Sequence, residues 1–457
     1  MPVMTTPPTL RDWQLQALRA WAANQYQGVI EAVTGAGKTM VGIHAIHRAV
    51  VHGGSALVLV PTVDLAFQWQ AALVQWLGEG CGAGVLGGGS KATFATHKIV
   101  VSLVQSAYRH PIAPPDAHPF NTIVVDEAHR MGAESFGLAL QPDWARRLGL
   151  TATWARPDMA HELILEPYFQ RVVFSLGYSQ AVNSGAVSSF DVHLVGLPMG
   201  ADTAEQYFQL EQSMAGMRDQ LRAMGALKSG GSWVGQISKM VRGTGTVAGI
   251  AGRYMKVYNS RAKLLGVCAD KQQALVHLAP AVQAASRCVV FNQTVEATRG
   301  AAKILQGAGV DAEAFWGGMP KNKRPIVLQG FADGRPQTLC APKVLDEGID
   351  VPAADMGIIM AASASQRQMV QRMGRVIRPK EGRRARFLVL YLVGTLEDPE
   401  QDAHIEFLTQ IRNSGAQVYT HILQHDDDAS WATLCADLIR SATEAPEAPT
   451  TLPLMAN

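Results

Sequence analysis

The sequence predicts an α/β protein with two lobes, each built on a mostly parallel β-sheet that is covered by helices. Three observations lead to this expectation. Apolar, strand-like runs alternate with helix-like segments through residues 1–180, and the same alternation returns at 276–420. Between them, residues 181–275 contain a basic, glycine-interrupted stretch. We therefore expect a first lobe, a basic helical connector or insertion, a second lobe, and an acidic, partly flexible tail at 421–457.

The first lobe is predicted from short apolar runs separated by segments long enough to form covering helices. Parallel sheets are buried on both faces, so their strands have nearly continuous runs of Val, Ile and Leu. The predicted strands are Gly28–Val33, Ala56–Val60, Lys98–Ser102, Asn121–Val125 and Leu148–Leu150. Apolar residues at helical spacing predict a helix over Met40–Val51, directly after the first of these strands.

The second lobe is predicted from a return of the same alternation after residue 287. The predicted strands are Cys288–Phe291, Gln337–Ala341, Met356–Met360 and Phe387–Tyr391. A helix is expected over Thr294–Gln306, ending at Gly307. Two such lobes in one chain predict a cleft between two sheets, which is a common place for a ligand site.

The predicted connector is strongly basic in its second half. From Arg218 to Lys263 it carries nine Lys and Arg residues against one acidic residue, Asp219. A solvated helical connector and a phosphate-facing surface both fit this composition. The chain after residue 420 is instead acidic and contains several prolines. We expect a short helix over Trp431–Ile439 and a flexible end.

Composition narrows the class of protein. With 47% hydrophobic and 17% charged residues over 457 positions, the chain can bury large cores and is not broadly disordered. The net charge of +2 is too small to indicate nucleic acid by itself. Five scattered cysteines without a C-x-x-C pair predict neither a disulfide framework nor a zinc site. With no signal-peptide pattern and no apolar run of membrane-spanning length, we expect a cytoplasmic protein that has no membrane partner.

The stretch Ala32–Thr39, with the sequence AVTGAGKT, lies between a predicted strand and a predicted helix. Its glycines let backbone N–H groups turn toward phosphate oxygens. Lys38 offers a positive charge to the β- and γ-phosphates, and Thr39 offers a hydroxyl to Mg²⁺. The strict pattern begins with glycine, and Ala32 stands in that place here. The predicted nucleotide-binding residues of this loop are Thr34, Gly35, Ala36, Gly37, Lys38 and Thr39.

A second stretch, Asp126–His129, has the sequence DEAH and follows the apolar run Thr122–Val125. A buried parallel strand would place Asp126 at the carboxyl edge of the sheet, where its carboxylate can hold Mg²⁺ through water. Glu127 lies beside it and can polarise an attacking water. Together, the two stretches predict a site that hydrolyses a nucleoside triphosphate with Mg²⁺.

The second lobe contains arginines at regular spacing. Arg372, Arg375 and Arg378 recur every three residues, which would place them on one side of a helix. A surface basic helix is the simpler alternative, but such cations can also stabilise the charge on a transferred γ-phosphoryl group from across a cleft. The predicted catalytic residues are therefore Lys38, Asp126, Glu127, Arg375 and Arg378.

Taken in order, these motifs resemble those of the superfamily 2 DEAH-box helicases, in which two RecA-like lobes close on ATP. The resemblance covers about residues 10–400. It implies ATP and Mg²⁺ as cofactors, with Thr39 and Asp126 toward the metal. It also implies further nucleotide contacts by Arg11, Gln14, Gly348, Asp350 and Gln371.

The resemblance also implies residues that contact nucleic acid or couple it to hydrolysis. Pro61 and Thr62 resemble the first backbone-contact motif of the family, and Ser102 resembles the next. His129 and the Thr151–Thr153 stretch resemble the residues that link the ATP site to nucleic-acid binding. Arg156 and Asp158 match an Arg-Glu-Asp element of the XPB-like branch, although Pro157 replaces its central acid.

The resemblance is most specific to the XPB-like branch, and UvsW-like and type III restriction motors are also similar. The branch carries a basic helical insertion after its first lobe, where the basic stretch of this chain lies. The resemblance implies an ATP hydrolase acting as a DNA helicase or double-strand DNA translocase, for example in DNA repair. The alternatives are the motor subunit of a restriction or defence complex, with an accessory or nuclease partner, and an RNA helicase.

Overall fold

Two parallel β-sheets organise the chain. The computed structural model describes residues 4–154, 161–187, 189–227, 233–320, 322–342, 354–360, 384–401, 403, 405–412 and 416–442. Each strand and helix listed for the two lobes from sequence is present, with ends within two residues of the predicted ones. The predicted fold class, two parallel-sheet α/β lobes, is therefore confirmed.

The first sheet has eight strands in the order β4-β3-β5-β2-β6-β7-β1-β8. Adjacent strands are parallel except for the short β3–β4 pair. The strands are β1 (Gln27–Ala32), β2 (Ala56–Val60), β3 (Ala83–Gly87), β4 (Ser90–Lys91), β5 (Ile99–Leu103), β6 (Thr122–Asp126), β7 (Arg146–Thr151) and β8 (Val172–Leu176). Strands β2, β5 and β6 are buried along their whole length, as the uninterrupted apolar runs require.

Helices connect these strands and cover both faces of the sheet. They are α1 (Asp12–Ala23), α2 (Lys38–Val51), α3 (Val63–Leu77), α4 (Val104–Arg109), α5 (Glu134–Gly137), α6 (Glu166–Phe169) and α7 (Tyr178–Asn183). Helix α3 begins where the Thr62 hydroxyl accepts a hydrogen bond from the Leu65 amide at 3.3 Å. It ends at Gly78, whose φ of +82° suits glycine.

The second sheet has seven parallel strands in the order β11-β12-β10-β13-β14-β9-β15. They are β9 (Phe190–Leu197), β10 (Cys288–Asn292), β11 (Ala312–Ala314), β12 (Thr338–Pro342), β13 (Met356–Ile359), β14 (Ala385–Leu392) and β15 (Gln417–Ile422). The remaining α-helices of the described residues are α8 (Ala201–Ala223), α9 (Trp233–Met240), α10 (Gly245–Val267), α11 (Ala269–Ala284), α12 (Val295–Gly307), α13 (Lys323–Asp333), α14 (Ile405–Arg412) and α15 (Asp428–Ser441).

Strand β9 differs from the expected organisation. The sequence assigned residues 181–275 to a helical connector, yet β9 pairs along its whole length with β14 and β15 inside the second sheet. Every residue of β9 is buried. Because Asp191 and His193 interrupt its apolar residues, β9 lacks the continuous apolar run by which the other buried strands were predicted. Only its pairing with two distant strands identifies this segment as a strand. The other domain limits stay predictions.

The basic connector forms a small helical unit of its own after β9. Helices α8 and α10, each 23 residues long, pack side by side with α9 against them. Their shared core contains Met214, Leu221, Ile237, Ile250 and Tyr254. The apolar residues are therefore used inside the unit, which leaves basic side chains on its outside.

The end of the described chain is anchored to the second lobe. The expected short helix is present as α15, and its Trp431 is only 2% exposed within the core between α11 and the second sheet. The buried Arg386 of β14 donates to the Leu438 carbonyl of this helix at 2.7 Å. Across the described residues, no helix combines the length and the apolar character needed to cross a membrane.

Candidate active site

Three neighbouring strands of the first sheet bring the predicted site residues to one edge. The sheet order places β6, β7 and β1 side by side, with their carboxyl ends together. Asp126 ends β6, Thr151 ends β7, and the glycine-rich loop follows β1. Residues that are far apart in sequence therefore meet at this edge, which is the usual ligand edge of an open parallel sheet.

The loop between β1 and α2 has the backbone shape that a phosphate cradle requires. Gly35 and Gly37 have φ angles of +89° and +100°, which side-chain-bearing residues rarely adopt. The Thr34 hydroxyl is buried and has no hydrogen-bond partner in the described part of the chain. A buried donor without a partner, next to the amino end of a long helix, fits an anionic ligand such as a triphosphate.

Lys38 lies at the start of α2 and folds back over the loop. Its Nζ donates to the carbonyl oxygens of Ala32 at 2.6 Å and Val33 at 3.3 Å. Burial lowers the pKa of this ammonium group, while the carboxylates of Glu127 and Asp126 act in the opposite direction. The ammonium group of Lys38 therefore lies between the loop and the acidic pair. At this position, it can exchange its hydrogen bonds to the carbonyl oxygens for hydrogen bonds to phosphate oxygens.

Asp126 is 8% exposed, and both of its carboxylate oxygens accept hydrogen bonds. Oδ1 accepts from the Glu127 amide at 2.9 Å, and Oδ2 accepts from the indole Nε1 of Trp69 at 2.8 Å. Burial raises the pKa of this carboxyl, while Trp69 and Lys38 lower it. The sequence did not predict the contact from Trp69, which lies 57 residues away on α3.

Glu127 begins a connected set of polar groups. It adopts a left-handed conformation with φ of +51°, which is rare for glutamate and typical of functional turns. Its Oε2 lies 3.4 Å from His129 Nδ1, which is also 2.9 Å from the Thr151 hydroxyl. That hydroxyl donates to the Thr153 carbonyl at 2.9 Å, so Nδ1 is the donor in the histidine–threonine bond. Glu127, which is predicted to polarise the attacking water, is thus linked to the Thr151–Thr153 stretch.

Arg11 and Gln14, which the family resemblance predicts to contact the nucleotide, are joined to the loop and to the start of the second lobe. Gln14 donates from Nε2 to the Gly37 carbonyl at 3.0 Å and accepts from the Arg11 amide at 2.9 Å. The Arg11 guanidinium donates to the Ala186 carbonyl, just before β9, at 3.1 Å. These bonds orient Gln14 beside the phosphate loop, and they leave one amide hydrogen and one carbonyl lone pair for a base.

The residues predicted to contact nucleic acid occupy different environments. Thr62 caps α3, and the Pro61 carbonyl accepts from Gln105 Nε2 at 3.1 Å, so both lie where α3 leaves the sheet edge. Ser102 is fully buried and donates to the Leu103 carbonyl at 3.2 Å. Because it belongs to a strand covered on both faces, its side chain points into the protein, and the predicted contact does not fit.

Part of the predicted site lies outside the described residues. These residues are Arg156, Asp158, Gly348, Asp350, Gln371, Arg375 and Arg378. Their assignments stay predictions. The described part of the site supplies the glycine-rich loop, the acidic pair and the residues predicted to couple hydrolysis to nucleic-acid binding.

The described residues hold no group of three or more His, Cys, Asp or Glu side chains arranged for a metal ion. Mg²⁺ commonly takes one or two protein carboxylates together with substrate phosphates and water. Thr39 and Asp126 fit that role, because one lies in the first turn of α2 beside the loop and the other ends β6.

Comparison with known protein families gives one match in each lobe. Residues 8–156 match the type III restriction enzyme, res subunit, and residues 270–380 match the helicase conserved C-terminal domain. The first match contains the phosphate loop, the acidic pair and the Thr151–Thr153 stretch. The second contains strands β10 to β13 of the second sheet and the arginine motif.

Curated relatives and solved structures agree with these matches. The chain is 26% identical to the DNA 3'-5' translocase XPB2 of Sulfurisphaera tokodaii, over 83% of this chain and 81% of the relative. It is 26% identical to the DNA 3'-5' helicase XPB of Mycobacterium tuberculosis, over 92% of this chain and 66% of that protein. The helicase domain of Pyrococcus furiosus Hef superposes with a TM-score of 0.57 at 18% identity, over 86% of this chain and 97% of that one, which shows the shared fold.

In both of its lobes, the chain is therefore similar to the superfamily 2 helicases and translocases, a class of ATP-dependent enzymes with two RecA-like lobes. Within that class, it is a homologue of the XPB DNA 3'-5' helicases and translocases, as the order of its motifs predicts.

Proposed function

We propose that this chain is an ATP-dependent motor that moves on DNA, as a helicase or a double-strand translocase. The observation that carries the proposal is the arrangement at one sheet edge of Lys38, Asp126 and Glu127, with His129 and Thr151 bonded to each other beside them. This set joins a triphosphate site to a stretch that, by homology, responds to nucleic acid.

The chemistry assigned to each residue follows from its contacts. Lys38 exchanges its carbonyl partners for phosphate oxygens when ATP binds, because a charged acceptor forms the stronger bond. Asp126 holds Mg²⁺, and Glu127 orients and polarises the attacking water. Mg²⁺, when bound, neutralises charge on the phosphates. Arg375 and Arg378 are proposed to complete the site from the second lobe.

Movement requires the two lobes to change their separation as ATP is bound and hydrolysed. Two contacts among the described residues lie where a change in lobe separation would lengthen or break them. Arg324 of α13 bonds Asp64 of α3 across the lobes at 2.9 Å, and Arg11 bonds Ala186 at the entry to β9. A nucleic-acid strand held by both lobes would advance as the lobes alternate between the closed and the open arrangement.

DNA is the proposed track because the relatives that align over most of this chain are named for DNA. The connector adds a suitable surface. Arg253, Lys256 and Lys263 recur at helical spacing along α10 and are exposed on one face. Lys263 pairs with Glu296 at 3.1 Å, whereas Arg253 and Lys256 extend the charge toward the middle of the helix. Lysines and arginines placed in this way contact phosphates without reading sequence.

Reversing charge at Arg253 and Lys256 together is expected to weaken DNA binding and to lower the slope of log affinity against log salt by about 2. Fluorescence anisotropy with labelled duplex DNA over a salt series measures both quantities. The control is the pair Arg19→Glu and Lys303→Glu, which makes the same change in net charge on α1 and α12. If the two pairs behave alike, α10 is only a connector.

Thr151→Val is expected to reduce the stimulation of ATP hydrolysis by DNA by about 2- to 30-fold, while basal hydrolysis is largely kept. The change removes the hydroxyl that accepts from His129 and donates to Thr153 but preserves shape. Thr122→Val is the matched control, since Thr122 is equally buried and its hydroxyl bonds only to the Phe120 carbonyl among the described contacts. Equal stimulation in both variants would refute the coupling role.

A restriction or defence motor is the second candidate, and the match of residues 8–156 to the res subunit favours it. The type ISP restriction-modification enzyme LlaBIII also superposes on 96% of this chain with a TM-score of 0.60, although this chain covers only 33% of that enzyme and the identity is 15%. Cleavage would then come from a partner protein. Co-purification of a nuclease with the chain from its natural host would support this candidate.

The experiment that tests the main proposal is the ATP hydrolysis rate with duplex DNA, single-stranded DNA, single-stranded RNA and no nucleic acid. Strong stimulation by DNA is expected. The form of DNA that stimulates hydrolysis more, duplex or single-stranded, distinguishes a duplex translocase from a strand-separating helicase. Stimulation by RNA alone would make the chain an RNA helicase instead. A rate near zero under every condition would contradict the motor assignment.

Several finer proposals accompany this function. A role in DNA repair is one of them, as the resemblance to the XPB-like branch implies. The five cysteines are all described, buried and free, which suits a reducing cytoplasm. An accessory protein is a further proposed partner, and cross-linking in cell extract would identify it.

A further inference from the structure

Trp69 is a buried tryptophan whose indole reaches the acidic pair of the active site. It lies on α3, is 1% exposed, and donates from Nε1 to Asp126 Oδ2 at 2.8 Å. An indole N–H can only donate, so its partner must be an acceptor, and here the acceptor is the proposed Mg²⁺ ligand. No residue role assigned above accounts for this bond.

The bond fixes the orientation of the carboxylate. The other oxygen of Asp126 accepts from the Glu127 amide at 2.9 Å, so each oxygen is bonded to a rigid group. One group is backbone and the other is an aromatic ring with two side-chain torsions. A carboxylate held at both oxygens cannot rotate freely, yet each oxygen keeps a lone pair for a metal or for metal-bound water.

The indole is itself held in place by α2. Gly42 of that helix lies against the six-membered ring, and a Cβ at this position would come within 2.6 Å of Trp69 Cη2. The absence of a side chain at Gly42 therefore makes room for the ring. Because α2 begins at the phosphate loop, the indole is packed between the helix of the loop and the strand that ends at Asp126.

We infer that Trp69 is a positioning residue that holds the Asp126 carboxylate in the orientation needed for Mg²⁺. The inference rests on the proposed function, because it requires ATP and Mg²⁺ to bind at this edge. It assigns a metal-site role to α3, whose amino end carries Pro61 and Thr62. Groups bonded to metal-ligating carboxylates typically affect metal affinity by about 10- to 100-fold.

The first lobe offers a matched control for loss of an indole N–H. Trp144 is also 1% exposed, and its Nε1 donates to the Ile112 carbonyl at 3.1 Å. It lies just before β7, at the opposite end of this strand from Thr151. Trp144→Phe therefore removes the same group from an equally buried ring without touching the site.

The experiment measures nucleotide binding rather than turnover. Anisotropy of mant-ATP is followed with wild type, Trp69→Phe and Trp144→Phe, first in EDTA and then over a Mg²⁺ series. For Trp69→Phe, we expect nucleotide affinity in EDTA to stay close to wild type and the Mg²⁺ concentration at the midpoint to rise about 10-fold or more. Trp144→Phe is expected to match wild type in both measurements.

A Mg²⁺ midpoint for Trp69→Phe equal to that for Trp144→Phe would overturn the inference. A parallel loss of affinity in EDTA and in Mg²⁺ would also overturn it, because that result indicates general disturbance of the loop. If Trp69→Phe does not fold, benzothienylalanine at position 69 replaces the N–H with sulfur at nearly constant shape. The same rise in the Mg²⁺ midpoint is then expected.

The wild-type protein separates this inference from the proposed function. If wild type binds mant-ATP with a clear Mg²⁺ dependence and the Trp69 variants behave like wild type, only the role of Trp69 is wrong. If wild type shows no Mg²⁺-dependent binding of the nucleotide, the proposed ATP site itself is wrong.

Discussion

Lys38→Ala is expected to lower the ATP turnover number by at least about 10²- to 10³-fold, with or without DNA. The Lys38 ammonium is the cation of the described residues that lies between the phosphate loop and the acidic pair, as its bonds to Ala32 and Val33 and its attraction to Glu127 and Asp126 indicate. Without it, charge that develops on the β- and γ-phosphates has no partner from the loop. Steady-state release of phosphate measures the loss.

The control for this change is Lys91→Ala, which removes an exposed lysine from β4 at the far edge of the same sheet. Its turnover should equal that of wild type. Thermal unfolding of both variants is measured as well, because Lys38 also bonds two loop carbonyls and its removal could loosen the loop. Near-normal turnover by a folded Lys38→Ala protein would remove the phosphate-loop assignment.

Glu127→Gln is expected to bind ATP with nearly wild-type affinity and to hydrolyse it about 10²- to 10⁴-fold more slowly. The amide keeps the size of the side chain and its contact with His129, but it cannot accept a proton from water. Glutamine has nearly the same shape as glutamate, so it should occupy the same place on the left-handed backbone at this position. Single-turnover hydrolysis and mant-ATP binding separate chemistry from affinity.

Glu79→Gln serves as the control, since this glutamate is exposed and lies two residues beyond the carboxyl end of α3, away from the site. It should hydrolyse ATP at the wild-type rate. Loss of ATP binding by Glu127→Gln, instead of loss of chemistry, would point to a structural role for the carboxylate. A variant that accumulates bound ATP would also be useful for trapping the chain on DNA.

Much of the fold was predictable from sequence because its strands are buried on both faces. The runs at Ala56–Val60 and Thr122–Val125 are uninterrupted apolar stretches, and the structure has strands at both places. The phosphate loop was predictable for a similar reason. Its glycines, lysine and threonine all lie within the five residues 35–39, so one local segment contains the groups that are predicted to bind phosphate.

Other features depend on contacts between distant segments. Strand β9 was missed because only its pairing with β14 and β15 distinguishes it from the connector. Ser102 was predicted to meet nucleic acid, but the layers packed over β5 enclose it. The family resemblance suggested a coupling role for His129, and the structure supplies its bond to Thr151, 22 residues away.

The sequence by itself determined the two parallel-sheet lobes, the triphosphate loop and the acidic pair, because each is specified by neighbouring residues or by the period of apolar side chains. The tertiary structure decided which side chains contact that pair. Trp69 and Asp126 meet only because β2, which leads into α3, lies next to β6 in the sheet. Strand order is set by packing across the whole lobe, and no local pattern along the chain encodes it.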